Sequence, residues 1–217
     1  MKLSQALLER RTSKLIGDIS NPENQNSGVD EIIDSILTEA GNAPFHYPCA
    51  KAHQQDLSSP VPWRAYKLNQ QACQTLMQKL LDMGDQTKVP NMLAAAEYLV
   101  QVTWLPEPGS IASNVPVKEG AQFEGSLRNM EHIAGASAFC QSLLLSVTGY
   151  GFRTYWSSGG VLRSPDVFKL LNISDQEILL GSLFLFPQKP EFSEIKPGSM
   201  ADKRGEITDW SREVKLA

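Results

Sequence analysis

Five consecutive residues near the amino terminus, Arg10-Arg11-Thr12-Ser13-Lys14, bring three cations and two hydroxyls together. Such a run can surround one phosphate, because guanidinium offers a bidentate fork, ammonium a point charge and hydroxyl a neutral donor. The same residues also suit the solvated basic end of a helix, where cations face the negative pole of the helix dipole. A second segment, Asn42-Ala43-Pro44-Phe45-His46, is followed later by Pro62-Trp63-Arg64. A turn after a helix and a strand that opens on Trp could set a ligand across a sheet edge; a plain helix-to-strand connection has the same residues. The third segment runs from Gly149 through Tyr150, Gly151, Phe152, Arg153, Thr154, Tyr155, Trp156, Ser157 and Ser158 to Gly159 and Gly160. Its aromatics can flank a planar ring, and its Ser/Gly turn offers backbone N–H groups and close approach. A glycine-rich strand-to-helix turn is the structural alternative.

The rest of the composition excludes several chemistries. Net charge is -4 and the pI about 5.4, which does not suit a general nucleic-acid binder. Cys49, Cys73 and Cys140 are odd in number and widely spaced, so they read as buried or incidental thiols and not as a disulfide framework or zinc motif. His46, His53 and His132 lack metal-ligand spacing, and no metal site is expected. Neither a GxGxxG nor a GxxxxGK[ST] run occurs. No run of about 18 apolar residues is present, and Met1–Gln5 has no apolar signal core, so the default expectation is a cytoplasmic protein without a membrane span. A length of 217 residues suits one domain, 1–217, better than two.

The elements that must position these residues follow from periodicity and punctuation. Leu3 to Arg11 reads as a short helix ending in a basic turn, and 17–28 as a loop. Val29, Ile32, Ile33, Ile36, Leu37 and Ala40 fall at helical spacing and are stopped by Gly41-Asn42. Residues 45–61 form a long polar connection of the kind that is often functional. Trp63 to Leu68 reads as a strand, Gln71 to Met83 as a helix, Pro90 to Glu97 as the start of another, and Tyr98 to Leu105 as a strand. After a loop at 106–120, Arg128 to Thr148 is the longest helix, small in its middle (Ala134 to Ala138) and apolar on several faces later. Such a helix needs burial all round, by its own domain or by a subunit interface. Phe152 to Trp156 reads as a short strand, Ser164-Pro165 as the capped start of a helix to Leu171, and Ile178 to Phe186 as the central strand. The polar tail 187–217 reads as an arm. Strands separated by helices and long loops, without regular βαβ spacing, favour an α+β sheet covered by helices.

In order, these segments resemble the nitroreductase-like flavoproteins: RRTSK at 10–14, AP at 43–44, PW at 62–63, a small-residue helix, GYGFRTYWSSGG at 149–160 and ILLGSLFLFPQ at 178–188. The likeness runs from Arg10 to Trp210 and is greatest to the minimal, small-subunit subgroup. It implies a three-layer α+β fold with a mixed, mostly antiparallel sheet flanked by helices, and a homodimer. It also implies FMN as cofactor, NADH or NADPH as reductant, and a small electron acceptor such as a nitroaromatic or quinone. The resemblance places Arg10, Arg11, Thr12 and Lys14 on the FMN phosphate and ribityl chain. It sets Asn42, Pro44 and His46 against the flavin, often from the partner subunit. Trp156, Ser157, Ser158 and Gly159 then line the other side, and Lys203-Arg204 form a second phosphate-binding pair. No side chain is implied as a catalytic acid, since the flavin carries the chemistry. The chain departs from the pattern at Phe45, where a small polar residue is usual, at Ser59-Pro60-Val61 before Pro62-Trp63, and in a several-fold longer segment, 47–61, that reads as an insertion able to cover or block a pocket. An FMN-binding protein without reductase turnover, and a flavin-free α+β interaction domain, are the rival readings.

Overall fold

The computed structural model describes residues 3–24, 28–111, 122–200 and 203–214. Parts of the loops at 17–28 and 106–120 and of the 187–217 tail therefore lie outside the described residues. Its centre is a four-stranded sheet of order β2-β3-β5-β4, made of β2 (Trp63–Asn69), β3 (Tyr98–Trp104), β4 (Arg153–Ser157) and β5 (Ile178–Phe186). Every ladder in it is antiparallel. The mixed character expected from the sequence comes down to one parallel bridge among the described residues, Thr12 to Thr154.

β5 is an inner strand, and its unbroken apolar run follows from cover on both faces. Ile178, Leu183 and Leu185 enter one core, while Leu179, Phe184 and Phe186 enter the other. The first core lies under α2 (Val29–Ala40) and α5 (Leu127–Gly149). On α2, Val29, Ile33, Ile36 and Ala40 point inward at helical spacing. On α5, Ala136, Phe139, Cys140, Leu143, Leu144 and Val147 fill the space between α2 and the sheet. The cover of α5 is incomplete: Leu127, Met130 and Ala134 leave one stripe exposed. Ser126 caps this helix, its Oγ accepting from the Asn129 N–H at 3.2 Å.

The second core is closed by α3 (Gln70–Asp82), α4 (Val89–Ala95) and α6 (Pro165–Leu170). Ser164 caps α6 through Val167, with Pro165 at its first position. Helices thus flank the sheet on both sides in three layers. Cys49, Cys73 and Cys140 are all free and buried, and burial pushes the Cys140 thiol up to about 12.

Two strands were not expected from the sequence. β1 (Ser13–Ile16) and β6 (Glu194–Pro197) pair antiparallel, Ser13 opposite Pro197 and Ile16 opposite Glu194. The amino-terminal helix α1 (Leu3–Glu9) therefore stops short of the basic run, which leaves it as a strand that places Leu15 in the second core. A last short helix, α7 (Ile207–Trp210), lies in the tail, fully exposed. No described helix is long and apolar enough to cross a membrane.

Candidate functional site

The β1 strand carries the amino-terminal basic run to the edge of the sheet. Thr12 bridges Thr154 of β4, and the Gly198 N–H donates to the Thr12 carbonyl at 2.9 Å. The first and third chemistry-bearing segments of the sequence are thereby joined. Lys14 Nζ sits over the Tyr155 ring, 5.6 Å from its centroid. The carboxy-terminal tail returns to the same corner. Arg10 is half-buried; burial first, then the charges of Arg204 and Arg11, hold its guanidinium below the ordinary arginine value. Lys14 is likewise held below the ordinary lysine value, by burial and then by Lys88 and Lys196. Among the described residues no carboxylate makes an ion pair with Arg10, Arg11, Lys14 or Arg204. Like charges gathered in a half-buried corner repel one another, and an anion in their midst relieves that repulsion.

Lys203 and Arg204 are both exposed, in a single turn before α7. Sequence reasoning missed Lys88, just before α4, and Lys196 of β6, which stands opposite Lys14 in the β1–β6 ladder. Neither carries a local signal, since each is an isolated lysine far along the chain.

The 156–160 segment turns sharply at the end of β4. The Gly159 N–H donates to Ser157 Oγ at 3.1 Å, and Arg163 donates to the Ser158 carbonyl. Gly159 has φ +108°, and a Cβ there would lie 2.5 Å from Leu179 Cδ2, so only glycine fits. Ser157 and Gly159 are buried, Ser158 and Gly160 exposed. Trp156 is half-buried, with its indole directly over Gly181 of β5; a Cβ on Gly181 would stand 2.0 Å from Trp156 Nε1. Gly181→Ala is therefore expected to expel the indole and to destabilise the fold by about 1–3 kcal/mol, the usual cost of overpacking. Thermal melting with near-ultraviolet circular dichroism checks it, and an unchanged aromatic signal would rule the contact out.

The second segment lies elsewhere. Asn42 Nδ2 donates to the Thr38 and Glu39 carbonyls at 3.0 and 3.3 Å, and so caps the end of α2. Pro44 and Phe45 rest against Gly135 of α5, where a Cβ would meet Phe45 Cβ at 3.2 Å and the Pro44 carbonyl at 3.4 Å. Phe45 packs edge-on to Trp63, which in turn stacks on Phe139. The His46 side chain is 74% exposed, with Nδ1 3.3 Å from Glu131 Oε2. Among the described residues no hydrogen bond, ion pair or ring contact joins Asn42, Pro44 or His46 to the Arg10–Lys14 corner or to Trp156–Gly159.

Residues 47–61 are folded around one side chain. Arg64, 5% exposed, donates to the carbonyls of His53, Leu57, Ser59, Val61 and Trp63. The Cys49 N–H donates to the Pro60 carbonyl at 2.9 Å, and Gln54 Nε2 to the Cys49 carbonyl at 3.1 Å. Between them runs a short 3-10 helix, Lys51–Gln54.

No protein-family model and no curated protein sequence matches the chain. Solved structures do match it. A nitroreductase-like family protein from Bacillus cereus aligns at TM-score 0.66 and 15% identity, over 100% of this chain and 97% of its own. A Desulfovibrio desulfuricans protein of nitroreductase type, determined in complex with FMN, aligns at 0.60 and 14%, over 100% and 99%. The FMN- and NADPH-dependent nitroreductase NfnB from Sphigopyxis sp. strain HMH aligns at 0.60 and 12%, over the full length of both chains. The protein has the nitroreductase-like α+β fold.

Proposed function

We propose that this chain is an FMN-dependent NAD(P)H oxidoreductase that acts as a homodimer on a small electron acceptor. The observation that carries the reading is the cationic corner in which half-buried Arg10 meets the charges of exposed Arg11 and Arg204 with no ion-paired carboxylate among the described residues, and Lys14 is held beside it over Tyr155. It has the charge and the forked donors that a phosphate monoester requires. Arg10, Arg11 and Arg204, with Thr12 and Lys203, would hold the FMN phosphate. Lys14 would stand against the more interior part of the cofactor, and Trp156, Ser157, Ser158 and Gly159 would back it. When bound, FMN would supply hydride-transfer chemistry between NADH or NADPH and an acceptor such as a nitroaromatic or quinone.

The chain's own residues orient and polarise. Lys14, with Lys88 and Lys196 near it, sets a positive potential that favours negative charge on its neighbour. Asn42, Pro44 and His46, which share no hydrogen bond, ion pair or ring contact with this corner among the described residues, would meet the cofactor from the second subunit. Two patches of exposed apolar surface fit that arrangement: the Leu127–Met130–Ala134 stripe of α5, and Ile207, Trp210 and Val214 in the tail.

An FMN binder without reductase turnover is favoured by a different observation, the folded and pinned 47–61 segment beside the Phe45–Trp63 pair. One sample separates the readings. A yellow protein of dimer mass by light scattering, whose visible flavin band bleaches quickly on addition of NADPH or NADH, is expected. A yellow protein that does not bleach supports storage. A colourless monomer that takes up no FMN defeats both.

A further inference from the structure

The carboxy-terminal tail is tied to the molecule at a buried carboxylate. Glu23 is 5% exposed, and among the described residues no lysine, arginine or histidine forms an ion pair with it. Its two oxygens instead accept from consecutive backbone groups of the tail, Oε2 from the Glu191 N–H at 2.9 Å and Oε1 from the Phe192 N–H at 2.8 Å. Such charge-assisted bonds are roughly twice as strong as neutral ones, and a shielded carboxylate requires them. Asn24 adds a second tie, its Nδ2 donating to Glu191 Oε2 at 2.8 Å. The other side of this hook is fixed to the core. The Glu23 N–H donates to the Ala94 carbonyl at 3.0 Å, and buried Gln70 donates to the carbonyls of Glu23 and Asn24 at 2.9 and 3.2 Å. Upstream, the Gly17 N–H donates to the Asn91 carbonyl at 2.9 Å, and Asn91 Nδ2 donates to the Gly17 carbonyl at 3.0 Å.

Beyond the hook the tail has little of its own to hold it. β6 begins two residues after Phe192 and places no residue in either core. Its ladder with β1 is four residues long, and two-stranded pairings of that kind are marginal in water. Lys14 and Lys196 stand directly opposite each other in it, and like charges so placed weaken a ladder. The bond from the Gly198 N–H to the Thr12 carbonyl closes its end. Past that point, among the described residues, every hydrogen bond of 203–214 stays within the tail. The place of Arg204 near Arg10 is therefore set upstream. With the chain fixed at 192, closing β6 onto β1 costs little further chain entropy, and a weak ladder then holds.

We propose that Glu23 is a positioning residue for the cationic corner: its carboxylate hooks the tail at 191–192 and, through β6, holds Arg204 where the FMN phosphate would meet it. The proposal rests on the flavin reading of that corner. Glu23 acts only through the tail, so its effect must disappear once Arg204 is gone. Quenching of FMN fluorescence gives the affinity of four chains: native, Glu23→Ala, Arg204→Ala and the double variant. Each single change is expected to weaken FMN binding by about ten-fold, the size of one charge-assisted contact, and the double variant by no more than either alone. Hydrogen exchange in the FMN-free chains supplies a measurement that needs no cofactor. The amides of 191–197 are expected to exchange at least about ten-fold faster in Glu23→Ala, with those of β5 still protected. Glu23→Gln keeps the size of the side chain and one acceptor oxygen, and is expected to show smaller changes in the same directions; it takes the place of alanine in every arm if Glu23→Ala does not fold. Unchanged FMN affinity or unchanged exchange at 191–197 would overturn the proposal, as would single losses that multiply in the double variant. A native chain that takes up no FMN would defeat the flavin reading and the role built on it, while exchange would still show whether Glu23 holds the tail.

Discussion

Arg10→Ala combined with Arg204→Ala is expected to weaken FMN binding by at least about a hundred-fold, since each charge-assisted phosphate contact contributes about 1.5–3 kcal/mol and each 1.4 kcal/mol is ten-fold. The geometry also fixes a second, opposite outcome. In the flavin-free chain Arg10 faces Arg11 and Arg204 with no pairing carboxylate among the described residues, so the double variant relieves repulsion. The apo protein is therefore expected to melt at the same temperature or higher, even as cofactor affinity falls. A merely structural arginine pair would behave the other way. Quenching of FMN fluorescence gives the affinity and a thermal melt gives the stability. Unchanged affinity would remove the basis for the flavin assignment, and a large loss of apo stability would mean that the corner is part of the scaffold.

Arg64→Met is expected to destabilise the chain by about 3–5 kcal/mol, since it leaves several shielded carbonyls without a donor at about 1–3 kcal/mol each. For a domain of this length that lowers the melting temperature by about 6–20 °C. The reason lies in what the guanidinium does for residues 47–61. It donates to the carbonyls of His53, Leu57, Ser59, Val61 and Trp63, and without it these acceptors must find water or leave their places. Arg64→Lys is expected to rescue little, because three ammonium donors on one atom cannot spread across five carbonyls as a planar fork does. Limited proteolysis reads the local effect directly: Lys51 and its neighbours should become cleavable in Arg64→Met and stay protected in the native chain. Equal protection in both would show that the segment is held by other contacts.

Much of the scaffold was legible in the sequence because its signals are local. The α2 stripe of Val29, Ile33, Ile36 and Ala40 reports a one-sided helix by spacing alone. Ser164 followed by Pro165 announces the start of α6, and the apolar run Ile178–Phe186 announces a strand covered on both faces. The two cation-rich ends of the chain were visible as residues, but their meeting was not. Four-residue strands such as β1 and β6 carry too little pattern to be read, and their register is set by a partner at the far end of the chain. That pairing is what brings Lys196 opposite Lys14 and the tail back toward Arg10.

The 47–61 segment shows the same divide. Its length and its two prolines marked it as a loop, but nothing in its own residues said that it folds around an arginine that follows it. By itself, then, the sequence determined most of the helices, the main strands and the types of side chain available for chemistry, since periodicity, caps and breakers act within a few residues. Only the tertiary structure decided which of them share a corner and which backbone groups a buried charged side chain serves. Those outcomes depend on long-range pairing and burial, whose energies no short window of residues contains.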